Sequence, residues 1–500
     1  MKHIKRILIA GGGSAGWMTA ALLARLFQGL YEVILVESEE IGIIGVGEAT
    51  IPAIKKYVEL LGLDENEFMV RTQASFKLGI QFNNWSSPGS SYIHGFGVIG
   101  QDLEWLRCHQ YWLKLHAEGR AEDFSKYSIN TAACPSNKFM RARPDMADSP
   151  IGHIAHAFHF DAALFVQFLT AYAQERGVRR REGKIGAVNL RAEDGFVESI
   201  TMEDGETIAA DFFVDCTGLR GLIIEQALRT GYEDWRHWLP CDRAVAVPCE
   251  RTGNFTPYTK STAHGAGWQW RIPLQHRTGN GHVYSSQYID DAEAERILLA
   301  NLDGEQRADP FRVSFRTGKR KKLWNKNCVA IGLSSGFLEP LESTSIHLIQ
   351  SAAIRLVRLL PDAGFDPSGI AEFNRQSDFE YERIRDFIIL HYKATTRNDT
   401  PFWDYCRTME VPATLQRKMD LWMANGRIFR EDEELFAEES WIQVFIGQGM
   451  IPHGHDPLVA IKSDAQIAQY LGNIAAVIDK CVSVMPTHAD YVAKTCPAER

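Results

Sequence analysis

The stretch IKRILIAGGGSAGWMTAALLARLFQGLYEVILVES, residues 4–38, decides the fold of this 500-residue chain. Residues 4–10 predict a buried strand, the apolar pattern from 15 to about 28 predicts a helix, and residues 31–38 predict a second strand. Three glycines between the first strand and the helix stand at GxGxxG spacing. Together these features predict a β-α-β unit with a dinucleotide fingerprint.

The glycine turn has the chemistry of a phosphate cradle. Glycines permit a tight turn and a close backbone approach, and the following helix start offers free N–H groups and a positive dipole end. Glu37, at the end of the second strand, stands where a carboxylate would bind ribose hydroxyls. The alternative is a glycine-rich turn without a ligand. The predicted cofactor-binding residues of this unit are Gly11, Gly13, Ser14, Ala15, Gly16 and Glu37.

A later segment returns to the nucleotide fold. FFVDCTGLRG, residues 212–221, predicts a strand that ends at Asp215 and a glycine turn with Arg220. An antiparallel meander precedes it, at about residues 183–208. This order resembles the FAD-binding aromatic monooxygenases. Those enzymes usually carry a Gly-Asp motif whose Asp holds the flavin ribityl chain, whereas Gly332 is followed here by Leu333.

Composition excludes several classes of protein. The chain is 45% hydrophobic and 23% charged, with a formal net charge of -9, which is ordinary for a globular protein and unfavourable for nucleic-acid binding. The short basic cluster at residues 316–322 is interpreted as a solvated loop. Nine cysteines without a CxxC pair indicate reduced thiols, hence a cytoplasmic protein with neither a disulfide framework nor a zinc site.

The N-terminal residues superficially resemble a signal peptide, because a basic start precedes an apolar run and small residues. The glycine spacing within that run favours the nucleotide cradle instead. No apolar run is long enough to span a bilayer, so we expect no membrane partner.

The missing Asp is part of a second signature. GLSSGFLEPLEST, residues 332–344, resembles the matching segment of the flavin-dependent halogenases of the tryptophan halogenase family. Three other segments also resemble that family: GVGEATIP at 45–52, ASFKLGIQF at 74–82, and GWQWRIPL at 267–274 with its W-x-W-x-I-P motif. The matches occur in family order from residue 4 to about 350.

The resemblance implies an α/β fold: a FAD-binding Rossmann-like domain of the aromatic-monooxygenase type with an antiparallel sheet, plus a largely helical C-terminal region. We expect residues 1–350 to form a discontinuous FAD-binding core with an interleaved substrate-side sheet. Residues 351–500 are expected to form a helical region that packs on the core and closes the substrate pocket.

The resemblance also implies the chemistry. Reduced FAD (FADH2) and oxygen would give a flavin hydroperoxide, which oxidises chloride or bromide to hypohalous acid. Lys77 would receive that acid and deliver the halogen to an electron-rich aromatic ring. Glu342 would stabilise the ring cation and take its proton, with Glu339 as the rival carboxylate.

The resemblance assigns the remaining site residues to three groups. The residues beside the flavin are Gly47, Glu48, Ala49, Thr50 and Leu333. The halide-binding residues, which we expect at a helix start, are Ser343, Thr344 and Ser345. The residues that wall the flavin from the substrate are Trp268, Trp270, Ile272 and Pro273.

Without the resemblance, several of these residues have simpler interpretations. The alternation in residues 74–82 places Lys77 on the polar face of a strand, where a lysine is usually solvent-facing. Trp268 and Trp270 are equally well explained as core aromatics. His153, His156 and His159 lie three apart, but without further ligands we predict no metal site. Asp161 is predicted to cap a helix to about residue 175.

The substrate is predicted only by class. An electron-rich ring held by aromatic side chains is required, and the candidate clamp residues are Phe82, Trp85, Phe96, Trp105, Trp112, Trp441 and Phe445. No residues that grip the ammonium and carboxylate of tryptophan are recognisable. Indole or a small indole derivative is therefore our first choice, with a phenolic or carrier-linked substrate as alternatives.

Partners and rival functions complete the predictions. One nucleotide cradle implies that a separate flavin reductase supplies FADH2, while the choice of halide and the formation of a homodimer stay open. The alternative enzyme is a flavin-dependent aromatic monooxygenase (hydroxylase) of the same fold. The alternative outside enzymes is a flavin-binding regulatory protein that lacks chemistry.

Overall fold

The computed structural model describes residues 3–40, 47–253, 255–362 and 364–498. Residues 45 and 46 of the GVGEATIP segment lie outside the described residues. The strands in the described ranges are β1 Arg6–Ala10, β2 Glu32–Glu37, β3 Glu48–Ala49, β4 Ser75–Lys77, β5 Gly79–Asn83, β6 Ser91–Gly95, β7 Ala157–Phe160, β8 Arg179–Glu182, β9 Ile185–Leu190, β10 Val197–Met202, β11 Thr207–Ala209, β12 Phe212–Asp215, β13 Tyr232–Asp234, β14 Arg243–Cys249, β15 Thr259–His264, β16 Gly267–Pro273, β17 Thr278–Tyr284, β18 Phe311–Ser314, β19 Gly318–Arg320, β20 Trp324–Asn325, β21 Cys328–Ala330 and β22 Gly336–Phe337.

The α-helices in the same ranges are α1 Ser14–Phe27, α2 Ile54–Leu61, α3 Glu65–Arg71, α4 Cys108–Ala117, α5 Ile129–Ala133, α6 Ala162–Gln174, α7 Asp291–Ala300, α8 Ser345–Leu359, α9 Pro367–Lys393, α10 Pro401–Thr408, α11 Ala413–Asn425, α12 Glu438–Gly447, α13 Asp464–Val484 and α14 His488–Thr495. None of these helices combines the length and apolar character that crossing a membrane requires.

The nucleotide-fold prediction is confirmed. A sheet in the order β20-β21-β12-β1-β2-β8 has parallel pairing from β21 to β8. Helix α1 connects β1 to β2 at the predicted position. Three glycine turns follow the carboxyl ends of β1, β12 and β21, at residues 11–13, Gly218–Arg220 and Gly332–Ser334. Carboxyl ends of parallel strands share one edge of a sheet, which is where ligands bind in such folds.

The antiparallel prediction is also confirmed. Strands β9, β10 and β11 form the expected meander. A larger sheet has the order β18-β14-β17-β16-β15-β5-β6 and carries the tryptophan motif on β16. A small sheet in the order β3-β7-β4 joins the segment at residues 48–49 to the lysine strand. Asp161 caps α6 through hydrogen bonds from the backbone N–H groups of Ala163 and Leu164.

The predicted continuous strand at 74–82 is wrong. It divides at Leu78 into β4, which pairs with β7, and β5, which pairs with β15 and β6. Both faces of β4 are covered, so Lys77 is fully buried, in the enclosed position that the family resemblance requires and not the solvent-facing one that alternation alone suggests. Gly79 lets β5 and β6 approach closely, because a Cβ there would lie 2.4 Å from the carbonyl oxygen of His94 on β6.

The basic cluster at 316–322 also differs from its interpretation as a solvated loop. Lys319 and Arg320 belong to β19 and are buried. Lys319 pairs with Glu233 and Asp378, and Arg320 pairs with Glu225. The middle of the cluster is therefore part of the packed structure, because acidic partners from other elements neutralise its charge, whereas Arg316, Lys321 and Lys322 are exposed.

The C-terminal helices pack on the core at the lysine strand. His488 of α14 accepts a hydrogen bond from the backbone N–H of Phe76 (3.1 Å) through Nε2, while its Nδ1 donates to the carbonyl of Phe255 (2.9 Å). Burial lowers the pKa of His488 to about 4, so the ring is neutral, as this pair of bonds requires. The nine cysteines, all within the described ranges, are buried free thiols.

Candidate functional site

The turn after β1 leaves space for a phosphate group. Gly11 has φ +108°, and a Cβ there would lie 2.2 Å from the carbonyl oxygen of Cys216. A Cβ at Gly16 would lie 1.9 Å from the carbonyl oxygen of Gly11, so the first turn of α1 packs directly on the backbone of the glycine turn. Gly13 differs, because a Cβ at this position meets nothing within 4 Å. The open side of Gly13, at the free N–H groups of α1, fits a pyrophosphate.

Two other predicted flavin residues lie at this edge. Glu37 accepts hydrogen bonds from Trp17 Nε1 (3.2 Å) and Arg180 Nε (2.5 Å), which orient its carboxylate beside the glycine turn. The turn that contains Leu333 packs on the start of α1, since a Cβ at Gly332 would lie 2.6 Å from the Cβ of Ala15. The turn therefore lies where Ser14 and Ala15 begin the helix.

Strand β3 connects the flavin-side segment to the tryptophan motif. Ala49 packs with Ile272 and Leu274, and Trp270 contacts the same cluster. A Cβ at Gly47 would lie in van der Waals contact with the side chains of Leu274 and Ile272. The side chain of Glu48 is half-buried. Protein atoms around its carboxyl group remove water from it, which raises its pKa to about 7.

The amine of Lys77 is enclosed and held at two points. Its Nζ donates hydrogen bonds to the carbonyl of Thr50 (2.9 Å) and the hydroxyl of Ser343 (2.7 Å). The ring of Phe96 lies 5.3 Å away, measured from Nζ to the ring centroid. Burial lowers the pKa of Lys77 to about 7, although the charge of Glu342 opposes this shift. A large share of the lysine is thus a neutral amine near pH 7.

The carboxylate of Glu342 is fully buried between two histidines. His94 Nδ1 lies 3.0 and 2.9 Å from its two oxygens. His391 Nε2 lies 2.8 Å from Oε1, with the ring off the line of an ideal hydrogen bond. Burial alone would raise the pKa of Glu342, but the charge and hydrogen bonds of the histidines outweigh it and lower the pKa to about 2.

Sequence reasoning missed both histidines. His94 lies on β6, between matched segments, and His391 lies on α9 in a region without residue-by-residue resemblance. A polar residue inside the apolar run DFIILHY, at 386–392, is the signal that sequence offered for His391. Nothing local indicated that either ring meets Glu342.

The segment PLEST, residues 340–344, forms a tighter turn before the helix than the sequence indicated, and we call it the PLEST turn. Pro340 begins a 3-10 turn, Pro340–Glu342, and Ser343 follows in the left-handed region with φ +59°. Helix α8 begins at Ser345, with Thr344 as its N-cap, rather than at Ser343. The hydroxyl of Thr344 is buried and has no hydrogen-bond partner among the described residues. An unpartnered donor at a helix start suits an anion.

Glu339 has a different environment from Glu342. Its Oε2 accepts hydrogen bonds from Trp268 Nε1 (2.7 Å) and the hydroxyl of Tyr392 (2.6 Å). Burial raises the pKa of Glu339 to about 7, against the smaller effect of those two hydrogen bonds. Glu339 therefore holds the tryptophan motif in place, while the carboxylate of Glu342 contacts His94 and His391.

Aromatic side chains surround the two histidines. Phe82 lies 4.8 Å from the ring of His391, and Phe387 lies 5.7 Å from that of His94. Phe387 in turn contacts Phe436 and Trp441, which packs on Phe445. Two predicted clamp residues are elsewhere: Trp105 is 94% exposed, and Trp112 packs on His116 and Phe124.

The three spaced histidines do not converge. His153 Nε2 contacts the carbonyl of Ala147, and His156 Nε2 contacts Glu65. His159 lies between the hydroxyls of Ser75 and Thr259. Each ring thus has its own partner, which is the arrangement of structural histidines.

Comparisons with known proteins agree with this site. The family model described as tryptophan halogenase matches residues 6–464. The tryptophan 6-halogenase SttH of Streptomyces toxytricini is 33% identical over 519 residues, covering 98% of each chain. The tryptophan 7-halogenase RebH of Lentzea aerocolonigenes is 33% identical over 493 residues, covering 91% of this chain and 92% of its own.

Solved structures of high similarity are flavin-dependent halogenases. Xcc4156 from Xanthomonas campestris superposes with a TM-score of 0.96 at 45% identity, covering 100% of this chain and 99% of its own. BrvH from Brevundimonas sp. BAL3 superposes with a TM-score of 0.95 at 47% identity, covering 99% of each chain.

Proposed function

Because the chain belongs to the tryptophan halogenase family and is a flavin-dependent halogenase, we propose that Lys77 and Glu342 halogenate a neutral, electron-rich aromatic compound. Indole or a small indole derivative is the first choice of substrate. The observation that most strongly supports this is the buried amine of Lys77, bonded to the hydroxyl of Ser343 directly beside Glu342. A buried amine and a buried carboxylate so joined form a site for delivering an electrophile to a ring.

The flavin site is the edge where the three glycine turns meet. FAD would bind with its pyrophosphate at Gly13 and the start of α1, its ribose at Glu37, and its ring system near Glu48 and Leu333. When bound as FADH2, the cofactor supplies, with oxygen, the oxidant that converts chloride or bromide to hypohalous acid. The single nucleotide cradle favours a separate flavin reductase as the source of FADH2.

Halide binds at the start of α8. The N–H groups of its first turn, with Ser345 as the first helical residue, provide donors for an anion. So does the hydroxyl of Thr344, which has no partner among the residues that the structure describes. The hydroxyl of Ser343 is not free to bind halide, because it accepts a hydrogen bond from Lys77. Ser343 instead positions the amine of Lys77. The same turn thus places halide close to the flavin edge and the lysine close to the substrate.

Lys77 holds hypohalous acid for the substrate. Its neutral form donates its two hydrogens to Thr50 and Ser343 and keeps a lone pair for the halogen. Trp268, Trp270, Ile272 and Pro273 separate this amine from the flavin side. The contacts of Ile272 with Ala49, and of Trp268 with Glu339, support that wall.

The substrate side takes its walls from both parts of the chain. Phe96 comes from the core, while His391 and Phe387 come from α9 and Trp441 from α12. We therefore propose that the helical residues 351–500 close the pocket over the discontinuous core of residues 1–350. Aromatic walls bind a flat apolar ring and leave it reactive only at the carbon nearest Lys77.

Charged residues near α12 are already paired. Arg107 bonds to Glu438 and Glu439, and Lys418 forms a buried pair with Glu434 at 2.8 Å. Each pair neutralises groups that would otherwise grip the ammonium or carboxylate of an amino acid. This favours an uncharged substrate over free tryptophan.

A product assay tests the proposal. Purified protein with FAD, a flavin reductase and NADH would be offered indole, tryptophan and a phenol, each with bromide, with chloride and without halide. We expect halo-indole as the main product and none without halide. Hydroxylated product in every arm would show the monooxygenase alternative instead, and faster turnover of tryptophan than of indole would overturn the proposed substrate.

A further inference from the structure

His391 has a hydrogen-bond pattern that fixes where its protons are. The ring is fully buried on α9, and its Nδ1 lies 2.8 Å from the carbonyl oxygen of Phe387. A carbonyl oxygen only accepts, so Nδ1 carries a hydrogen. If His391 were neutral, its Nε2 would therefore present a lone pair.

That Nε2 faces a carboxylate. It lies 2.8 Å from Glu342 Oε1, and an ionised carboxylate oxygen also only accepts. Two lone pairs repel at this distance, and the ring lies off the line of an ideal hydrogen bond, so a protonated Nε2 makes the contact favourable mainly through its charge. The pair of His391 and Glu342 therefore holds one proton more than a neutral imidazole and a free carboxylate.

His94 completes the arrangement without competing for that proton. Its Nδ1 lies within hydrogen-bond distance of both oxygens of Glu342, so His94 supplies a hydrogen of its own to the carboxylate. The titratable groups that face the pair are His94 and Tyr92 from β6 and Lys77 from β4. Lys77 and His94 are buried, and Tyr92 is half-buried.

We propose that Glu342 and His391 form a proton store for the halogenation step: the pair gives its proton to the oxygen of hypohalous acid and recovers one from the halogenated ring. His391 acts through Glu342, so it is a positioning residue, whereas Glu342 meets the reactants. This inference rests on the proposed function and specifies where its protons come from and go to.

The step balances. The halogen–oxygen bond of hypohalous acid breaks and a carbon–halogen bond forms, with the ring supplying the electron pair. The oxygen gains the stored proton and leaves as water. The ring then loses its own hydrogen as a proton to Glu342, its C–H electrons restore aromaticity, and the pair returns to its starting state. Aromatic compound and hypohalous acid thus become halogenated aromatic and water, with no net proton exchanged with solvent.

The replacement His391→Gln separates proton storage from hydrogen bonding. A glutamine amide can donate a hydrogen bond to Glu342, but it neither takes up nor releases a proton near neutral pH. We expect hypohalous acid, trapped by dissolved monochlorodimedone, to form at the wild-type rate. The yield of halo-indole per hypohalous acid should fall about a hundredfold, the scale of general acid–base catalysis. Wild-type yield in this variant would overturn the inference.

His282→Gln is the matched control. His282 is also buried, and its Nδ1 also contacts a backbone carbonyl, that of Ala294 on α7. It does not contact Glu342, so its replacement should leave the yield per hypohalous acid unchanged. Equal loss in both variants would assign the effect to packing and overturn the inference. Absence of halo-indole from the wild type would instead contradict the proposed function itself.

A measurement without turnover gives a second test. In protein labelled with 15N-histidine, we expect both ring nitrogens of His391 to carry hydrogen in the resting wild type. In Glu342→Gln only one should carry hydrogen, because the amide can donate to Nε2. A His391 ring with a single hydrogen in the wild type would overturn the proton store, whatever the activity of the variants.

Discussion

The amine of Lys77 lies 2.7 Å from the hydroxyl of Ser343, the residue that follows Glu342. This hydrogen bond joins two segments separated by 266 positions in the chain. Ser343 reaches the amine from a left-handed backbone conformation, which non-glycine residues adopt at some cost and which often marks a functional site. The proposed acid–base group, Glu342, thus belongs to the turn that holds the amine of Lys77, the proposed halogen carrier.

Replacing Lys77 by Ala should abolish halogenation of indole while FAD binding and oxygen consumption stay near wild type. The reason is that the amine lies on the substrate side, away from the glycine turns. Product analysis and an oxygen electrode measure the two activities. The exposed Lys55 provides a control, since Lys55→Ala should change neither. Halogenation that survives in Lys77→Ala would contradict the role of the lysine.

The buried lysine should also make stability depend on pH. Its pKa is about 7 in the folded protein and 10.5 when unfolded, so between these values the unfolded chain binds more protons. The destabilisation is complete below pH 7 and disappears as the pH rises towards 10.5. Relative to Lys77→Met, the wild type should gain up to about 1.4 kcal/mol of unfolding free energy per pH unit.

Denaturant unfolding of both proteins at pH 7, 8 and 9 measures this difference. Other titrating groups cancel in the comparison because both proteins contain them. Parallel stability curves would mean that the amine stays charged in the folded state.

Replacing Thr344 by Val should weaken halide binding. The buried hydroxyl has no partner among the described residues, so its loss leaves the folded protein at least as stable as before. A hydrogen bond to an anion contributes about 1.5–3 kcal/mol, so the KM for bromide should rise about ten- to hundredfold. Thr170→Val is the control, because that hydroxyl bonds to the Val166 carbonyl within α6. An unchanged halide KM would place the halide elsewhere.

Replacing Gly13 should weaken FAD binding, whereas replacing Gly11 should prevent folding. Gly13 has φ -75° and open space around a Cβ, so Gly13→Ala should fold normally but raise the Kd for FAD about tenfold, or about 1.4 kcal/mol. Gly11→Ala should prevent stable folding, since φ is +108° and the Cβ would lie 2.2 Å from a backbone oxygen. Thermal unfolding and flavin fluorescence measure both. Tight FAD binding by Gly13→Ala would exclude this turn as the phosphate site.

Local sequence patterns were sufficient for much of the fold. Glycine spacing and strand–helix periodicity predicted β1, α1 and β2 closely, and the pattern at about residues 183–208 predicted the meander. These features depend on backbone conformation and on burial of one short segment, both of which are encoded locally. The resemblance to the tryptophan halogenase family named Lys77 and Glu342, which strand periodicity and turn chemistry alone did not single out.

Local sequence patterns were thus enough to predict the nucleotide fold. The motifs were enough to predict the family and to name Lys77, Glu342 and Ser343 as site residues. Only the tertiary structure shows that the strand at residues 74–82 breaks at Leu78 and that His391 from α9 lies beside Glu342, and it confirms the enclosed lysine that the family resemblance required. The physical reason is that burial and pKa depend on atoms distant in sequence. Period-two alternation predicts which way a side chain points, but not whether another element covers that face.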